Sequence, residues 1–157
     1  MKKFKLTSEF IVDISGVKLF RIKALIEFGN VKAGDLGGYI EKEENLSHMG
    51  NAWVSGNAQV SGDARVSGNA RVSGDAQVFG DARVSGDKDY AYAHGFGSCN
   101  RTTTFFRLKD GDVGVRCGCF YGTLAQFRDN VCETHGETKK AQEYLMLADL
   151  MDFRFKN

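Results

Sequence analysis

Groups able to hold an anion concentrate in one run, Gly95-Phe96-Gly97-Ser98-Cys99-Asn100-Arg101-Thr102-Thr103-Thr104. Its two glycines free the backbone for close approach, and Ser98, Asn100 and Thr102 offer hydroxyl and amide groups. Arg101 can grip a phosphate or carboxylate through two parallel hydrogen bonds. A dinucleotide fingerprint needs a third glycine and a following helix, so that chemistry is not indicated. The competing reading is a polar entry into a β-hairpin, with Arg101 satisfying nearby carbonyls.

Cys117 and Cys119 alternate on an expected strand and face one way, while Cys132 and His135 are spaced as on a helical turn. Together they have the donor set of a structural zinc site. The C-x-C spacing has no second close cysteine pair to match it, so buried thiols and no metal are expected. A Cys119–His135 nucleophile pair lacks a third group to orient it. His48, His94 and His135 are the only histidines and lie far apart in sequence.

The elements that must position these groups are organised around Gly50 to Asp87, where a six-residue phrase recurs without a gap. Valine stands at 54, 60, 66, 72, 78 and 84, alanine at 52, 58, 64, 70, 76 and 82, and Asn or Asp follows each glycine from 50 to 86. A helix would scatter residues six apart over different faces, and a flat sheet would leave one valine per six with nothing to pack on. A coil turning a corner every hexapeptide points valine and alanine inward. The Gly-Asn/Asp pair makes the corner, because those residues tolerate left-handed backbone angles.

This pattern resembles the left-handed β-helix hexapeptide-repeat family, in which three hexapeptides make one triangular coil and residues eighteen apart stack. The resemblance implies Val54 under Val72, Val60 under Val78 and Val66 under Val84. On the outside it implies Arg65 under Arg83, Asp63 under Asp81 and Ser61 under Phe79. Rungs sit about 4.8 Å apart, so the arginines repel unless the aspartates or an acidic partner intervene. Phe79 replaces a serine on a polar face and is expected at a subunit contact.

The words Lys32-Ala33-Gly34-Asp35-Leu36-Gly37-Gly38-Tyr39-Ile40 and Ala52-Trp53-Val54 look like the first half of hexapeptide proteins frequent in phages and prophages. Gly97-Ser98, Thr102-Thr103-Thr104-Phe105 and Gly118-Cys119-Phe120 look like a tail that such proteins share. Hexapeptide acyltransferases present a catalytic histidine at a subunit boundary, but Gly50–Asp87 contains none. His48, at its edge, is expected to cap or pack. The zinc-binding γ-class carbonic anhydrases use several histidines, which this chain lacks.

The 157 residues carry Lys+Arg 21 against Asp+Glu 20, a formal charge of +1, with both signs spread along the chain. That leaves no basic stripe for duplex nucleic acid and no polybasic membrane anchor. Met1 to Ile14 is short, charged and alternating, unlike a signal peptide or membrane span, so a cytoplasmic site is expected, in the host cell if the chain is phage-encoded. Its four cysteines are then free thiols.

In chain order, Phe4–Ile14 and Val17–Ile26 read as strands joined at Ser15-Gly16. Thr102–Leu108 and Val113–Phe120 read as a hairpin. Thr123-Leu124-Ala125-Gln126 has capping-box spacing and opens a helix to about Cys132. A last helix, about Lys139 to Phe153, is apolar on more than one face and so sandwiched or at an interface.

The expected fold is mainly β. A β cap over 1–47 leads into a short left-handed parallel β-helix over 48–89, followed by an α+β subdomain over 90–157 made of a hairpin and two helices. The expected function is a non-enzymatic homotrimer of phage type without cofactor. It would bind a small anionic, nucleotide-derived ligand through Arg101, Ser98, Asn100, Thr102, Arg65 and Arg83, and could sequester a host immune signal. The rivals are an acyl-CoA-dependent transferase using His48 or His94, and a structural or protein-binding scaffold.

Overall fold

The computed structural model describes residues 2–13, 15–96, 101–117 and 120–156, and of Arg101 the backbone alone. An N-terminal group of strands, β1 (Phe4–Val12), β2 (Lys18–Ala24) and β3 (Leu36–Ile40), precedes the repeat. Each hexapeptide then contributes one two-residue strand: β4 (Trp53–Val54), β5 (Gln59–Val60), β6 (Arg65–Val66), β7 (Arg71–Val72), β8 (Gln77–Val78) and β9 (Arg83–Val84). The C-terminal part holds β10 (Tyr90–Phe96), β11 (Arg101–Arg107), β12 (Val113–Cys117), β13 (Phe120–Thr123), α1 (Leu124–His135) and α2 (Lys139–Phe155).

The repeat strands pair in parallel eighteen residues apart, Val54 with Val72, Val60 with Val78 and Val66 with Val84. Every repeat valine and alanine from Ala52 to Val84 is at most 1% exposed. Burying one such valine contributes about 1.5–3 kcal/mol. Main-chain bonds join the two coils, as where Trp53, Gln59 and Arg65 donate to the carbonyls of Ala70, Ala76 and Ala82. The corner glycines from 50 to 80 have φ between 62° and 71°.

A stack of two coils leaves a row of unpaired carbonyls at its lower end, and each of the three faces covers them differently. On one face β3 adds a parallel strand to β5, with Tyr39 and Glu41 donating to the Ala58 and Val60 carbonyls. On the next, buried Asn45 donates from Nδ2 to the Gly62 and Ala64 carbonyls at 3.1 and 2.9 Å, and Ser47 N–H donates to Val66. On the third, Lys3 Nζ donates to the Ala52 carbonyl at 2.6 Å and reaches the Gly50 carbonyl at 3.4 Å. The β1–β2 hairpin lies beneath β3 and completes this cap.

At the upper end acceptor side chains take up exposed N–H groups, while the Tyr90 hydroxyl and the Lys109 N–H donate to the Arg71 and Asp81 carbonyls. Asp87 Oδ1 accepts from Arg71 N–H at 2.8 Å, Thr104 Oγ1 from Gln77 N–H at 2.9 Å and Asp89 Oδ2 from Ser85 N–H at 3.0 Å. Leu108 bridges to Ala82, which seats the end of β11 on the repeat.

The expected hairpin is in fact the middle of a four-stranded antiparallel sheet, in the order β10-β11-β12-β13. Strand β10, Tyr-Ala-Tyr-Ala-His-Gly-Phe, has alanine and glycine where strands favour branched residues, and its pairing with β11 outweighs that weak propensity. The stretch Val113–Phe120, read as one strand, takes in the whole of β12 and the first residue of β13. Both helices lie where expected and run a few residues longer. Phe105, Val115, Phe127, Tyr144 and Ala148 form a second core beneath them.

Two stability measurements check this architecture. A Cβ on Gly56 (φ 63°) meets the Gly74 backbone at an ordinary 3.5 Å, whereas one on Gly68 runs into the Ser85 carbonyl oxygen. Gly56→Ala should cost about 1–2 kcal/mol in urea unfolding, and Gly68→Ala clearly more. Equal costs would contradict the stacking of these corners.

Burial holds the Lys3 ammonium down at about 8, below its ordinary 10.5. Between those values the unfolded chain binds more protons, so stability should rise by roughly 1–2 kcal/mol from pH 8 to 9.5. Lys3→Met should lose that rise.

Candidate functional site

In each hexapeptide the residue before valine must face outward because valine faces in. That places Arg65 and Arg83, which are direct β6–β9 partners, one above the other on one face. At a rung spacing of about 4.8 Å their repulsion is about 1 kcal/mol in water. Arg83 Nη1 is held by the Asp63 and Ala82 carbonyls at 2.8 and 2.9 Å. The exposed Arg65 guanidinium makes no hydrogen bond or ion pair with any described residue. The Asp63 carboxylate, expected to relieve the arginines, instead pairs with Lys42 Nζ at 2.9 Å, and that bond holds its carboxyl below the usual range.

Two clefts flank this rung. The larger, about 620 Å³, is lined by Lys2, Ser47, His48, Arg65, Ser67 and Arg83, with Glu43 and Glu44 beside them. The smaller, about 210 Å³, is lined by Lys42, Lys109 and both arginines together with Glu44, Asp63 and Asp81. Glu43 is already engaged, by Lys2 at 3.1 Å and by His48 Nε2 at 2.9 Å. The Lys2 contact, followed by that of His48, holds the Glu43 carboxyl low.

His48 stacks on Phe4 with ring centres 4.2 Å apart, and its Nδ1 accepts the Lys3 N–H at 3.0 Å. An accepting Nδ1 puts the proton on Nε2, pointed at Glu43. With both nitrogens committed, His48 has no lone pair with which to deprotonate an acceptor, and it serves as a packing and capping residue.

No described residue of the run around Arg101 lines this cleft. Ser98, Cys99 and Asn100 lie outside the described residues, as does the Arg101 side chain. The Arg101 backbone opens β11 opposite Phe96, and Thr102 Oγ1 lies 2.8 Å from His94 Nδ1 across the β10–β11 pair. Leu108, beyond the other end of β11, touches the repeat at Ala82. Seven residues of strand, roughly 20 Å, therefore separate Arg101 from the rung that carries Arg83.

Of the cysteine and histidine set, Cys119 lies outside the described residues. Cys117 is buried, with Thr103 Oγ1 at 3.3 Å and the Tyr144 hydroxyl at 3.7 Å, and the Cys132 side chain is exposed. His135 stacks against Tyr144. No group of three His, Cys, Asp or Glu side chains among the described residues is placed to hold a metal.

Phe79 is half-buried within the chain. Tyr121 meets its ring edge-on at 4.9 Å, and the Arg116 guanidinium lies 4.2 Å over its face. Arg116 in turn lies 3.8 Å from the Asp13 carboxylate of the N-terminal hairpin, both side chains being almost wholly buried. The serine-to-phenylalanine exception did signal a contact, but sequence alone could not distinguish a partner in the same chain from one in another. Lys2, Lys42 and Lys109, which line the clefts from outside the repeat, carried no periodic signal. Ser67 did, standing two places after Arg65 in the same register.

Residues 58–74, 64–78 and 76–87 match the family model of the YdcK beta solenoid repeat. This part of the chain is a β-solenoid. The similarity lies within the repeat and reaches neither the N-terminal cap nor the C-terminal sheet and helices. No curated protein matches the chain. No described helix is long and apolar enough to cross a membrane.

Phe79→Ala should lower stability by about 2–3 kcal/mol, somewhat less than a fully buried phenylalanine would cost, with no change in subunit number by light scattering. A lost oligomer with unchanged stability would instead make Phe79 a contact between chains.

Proposed function

We propose that the protein is a non-catalytic binder of a small, multiply charged anion, of the phosphate-ester class found in nucleotides, held on the outer arginine rung of the solenoid. The left-handed winding of the hexapeptide kind belongs to the same reading. The observation that carries it is the Arg65 guanidinium, without a hydrogen bond or ion pair among the described residues, one rung from Arg83 over a cleft of about 620 Å³. That volume falls within the range of small-molecule sites. Arginine forks match the oxygens of phosphate, and Ser47, Ser67 and Lys2 supply further donors.

Among the described lining residues the only aromatic ring is His48, whose face is covered by Phe4. Charge, rather than base stacking, therefore supplies the affinity. The commitment of both His48 nitrogens argues against acyl transfer at this cleft. In the phage setting that the resemblance implies, such a binder would withdraw a signalling nucleotide from its host.

Calorimetry in about 50 mM salt, with phosphate, pyrophosphate, linear nucleotides and cyclic nucleotides, tests the reading. At least one should bind more tightly than about 100 μM, and Arg65→Ala should weaken it about tenfold. Affinity should fall as salt rises, and Arg101→Ala should leave it unchanged. Absence of any binding at that level, or indifference to Arg65→Ala, overturns the proposal.

A further inference from the structure

The buried face of α2 is formed by Ala141, Tyr144, Ala148, Met151 and Phe155. At 3.6 residues per turn, Met146, Leu150 and Phe153 fall on the opposite side, where they are 70%, 55% and 79% exposed. A helix apolar on both faces has one face in the core and one that still needs cover. The helix cannot roll to hide it, because Arg154 Nη2 donates to the Asp87 and Tyr90 carbonyls at 3.3 and 3.4 Å and fixes the end of α2 to the top of the repeat.

We propose that this stripe is covered by the same stripe of a second copy of the chain, the two α2 helices running antiparallel about a two-fold axis near Leu150. The order of residues along the stripe favours that partner and that direction. Antiparallel alignment sets Met146 against Phe153 of the partner subunit, a sulfur–aromatic pairing. It also places half-buried Glu143 beside Arg154 of the partner subunit, on the same flank. Parallel alignment would leave Glu143 on the flank opposite Arg154 of the partner subunit and about 16 Å from it along the helix axis. A contact that uses one patch twice closes as a dimer and leaves no edge for further growth.

A single helix pair covers less than the roughly 1,000 Å² of a firm interface, so the association is concentration-dependent, in the micromolar range. This inference stands apart from the anion-binding reading, since no residue of the arginine rung takes part.

Sedimentation velocity of the full chain from about 1 to 100 μM should show monomer passing into dimer. Leu150→Asp should be monomeric throughout with an unchanged melting temperature, because that side chain already faces water in the monomer. Glu143→Arg should weaken the dimer about tenfold if the helices are antiparallel, since it then faces Arg154 of the partner subunit. A monomer at every concentration, a trimer, or a dimer insensitive to Leu150→Asp overturns the proposal, and a dimer indifferent to Glu143→Arg overturns its direction.

Discussion

A coil of parallel rungs satisfies its main chain only by stacking on another coil, so its first and last rungs must find partners elsewhere. With only two full coils here, a large share of the repeat is end. Each end presents both carbonyls and N–H groups, and the chain answers each kind in turn. At the first end the carbonyls are met by the β3 main chain, the Asn45 amide and the Lys3 ammonium, and the Gly62 N–H by the Glu41 carboxylate. At the second the N–H groups are met by the carboxylates of Asp87 and Asp89 and the hydroxyl of Thr104, and the Arg71 and Asp81 carbonyls by the Tyr90 hydroxyl and the Lys109 N–H. A further rung can be added at neither end without displacing one of these groups, which makes the repeat a closed body rather than a segment of a filament.

The caps also explain the size of the flanking regions. A solenoid core of one valine and one alanine per hexapeptide is thin, and the first core of the molecule extends beyond it to Phe4, Ile22, Phe28 and Trp53 below and to Tyr90 and Phe106 above. The N-terminal hairpin and the C-terminal sheet thus contribute apolar area as well as hydrogen bonds. The buried Asp13–Arg116 contact over Phe79 brings the two flanking parts together along one side of the repeat. An ion pair taken out of water gains little on its own, so its value lies in setting the position of the C-terminal sheet while the aromatic contacts supply the attraction.

The repeat was legible because its period recurs in every hexapeptide, and the eighteen-residue stacking then fixed which side chains share a face. The capping box at Thr123 and both helices were legible from local rules. What escaped was decided by distant pairing. The seven residues of β10 have little intrinsic strand preference and form a strand because β11 lies alongside. Phe79 stood out as exceptional, yet its partner Tyr121 lies far along the chain. The Arg101 backbone opens the end of β11 remote from the arginine rung, and the lysines of the clefts arrive from segments with no common period. Local chemistry identified candidates, and only the fold determined which of them meet.

The three outer faces of the solenoid also allow an internal comparison. On one face Arg71 sits over Trp53, and on another Gln77 sits over Gln59. Both are stacks that folding tolerates without help. Only the third stacks like charges, Arg83 over Arg65, and there the aspartate that could have neutralised them is turned to Lys42. The same sequence pattern supplied neutral glutamine at the equivalent place one face earlier, so the charged pair is not imposed by the architecture. A local arrangement that works against stability, in a chain otherwise consistent from corner to core, is where function is to be sought, and it stands beside the larger of the two clefts that flank the rung.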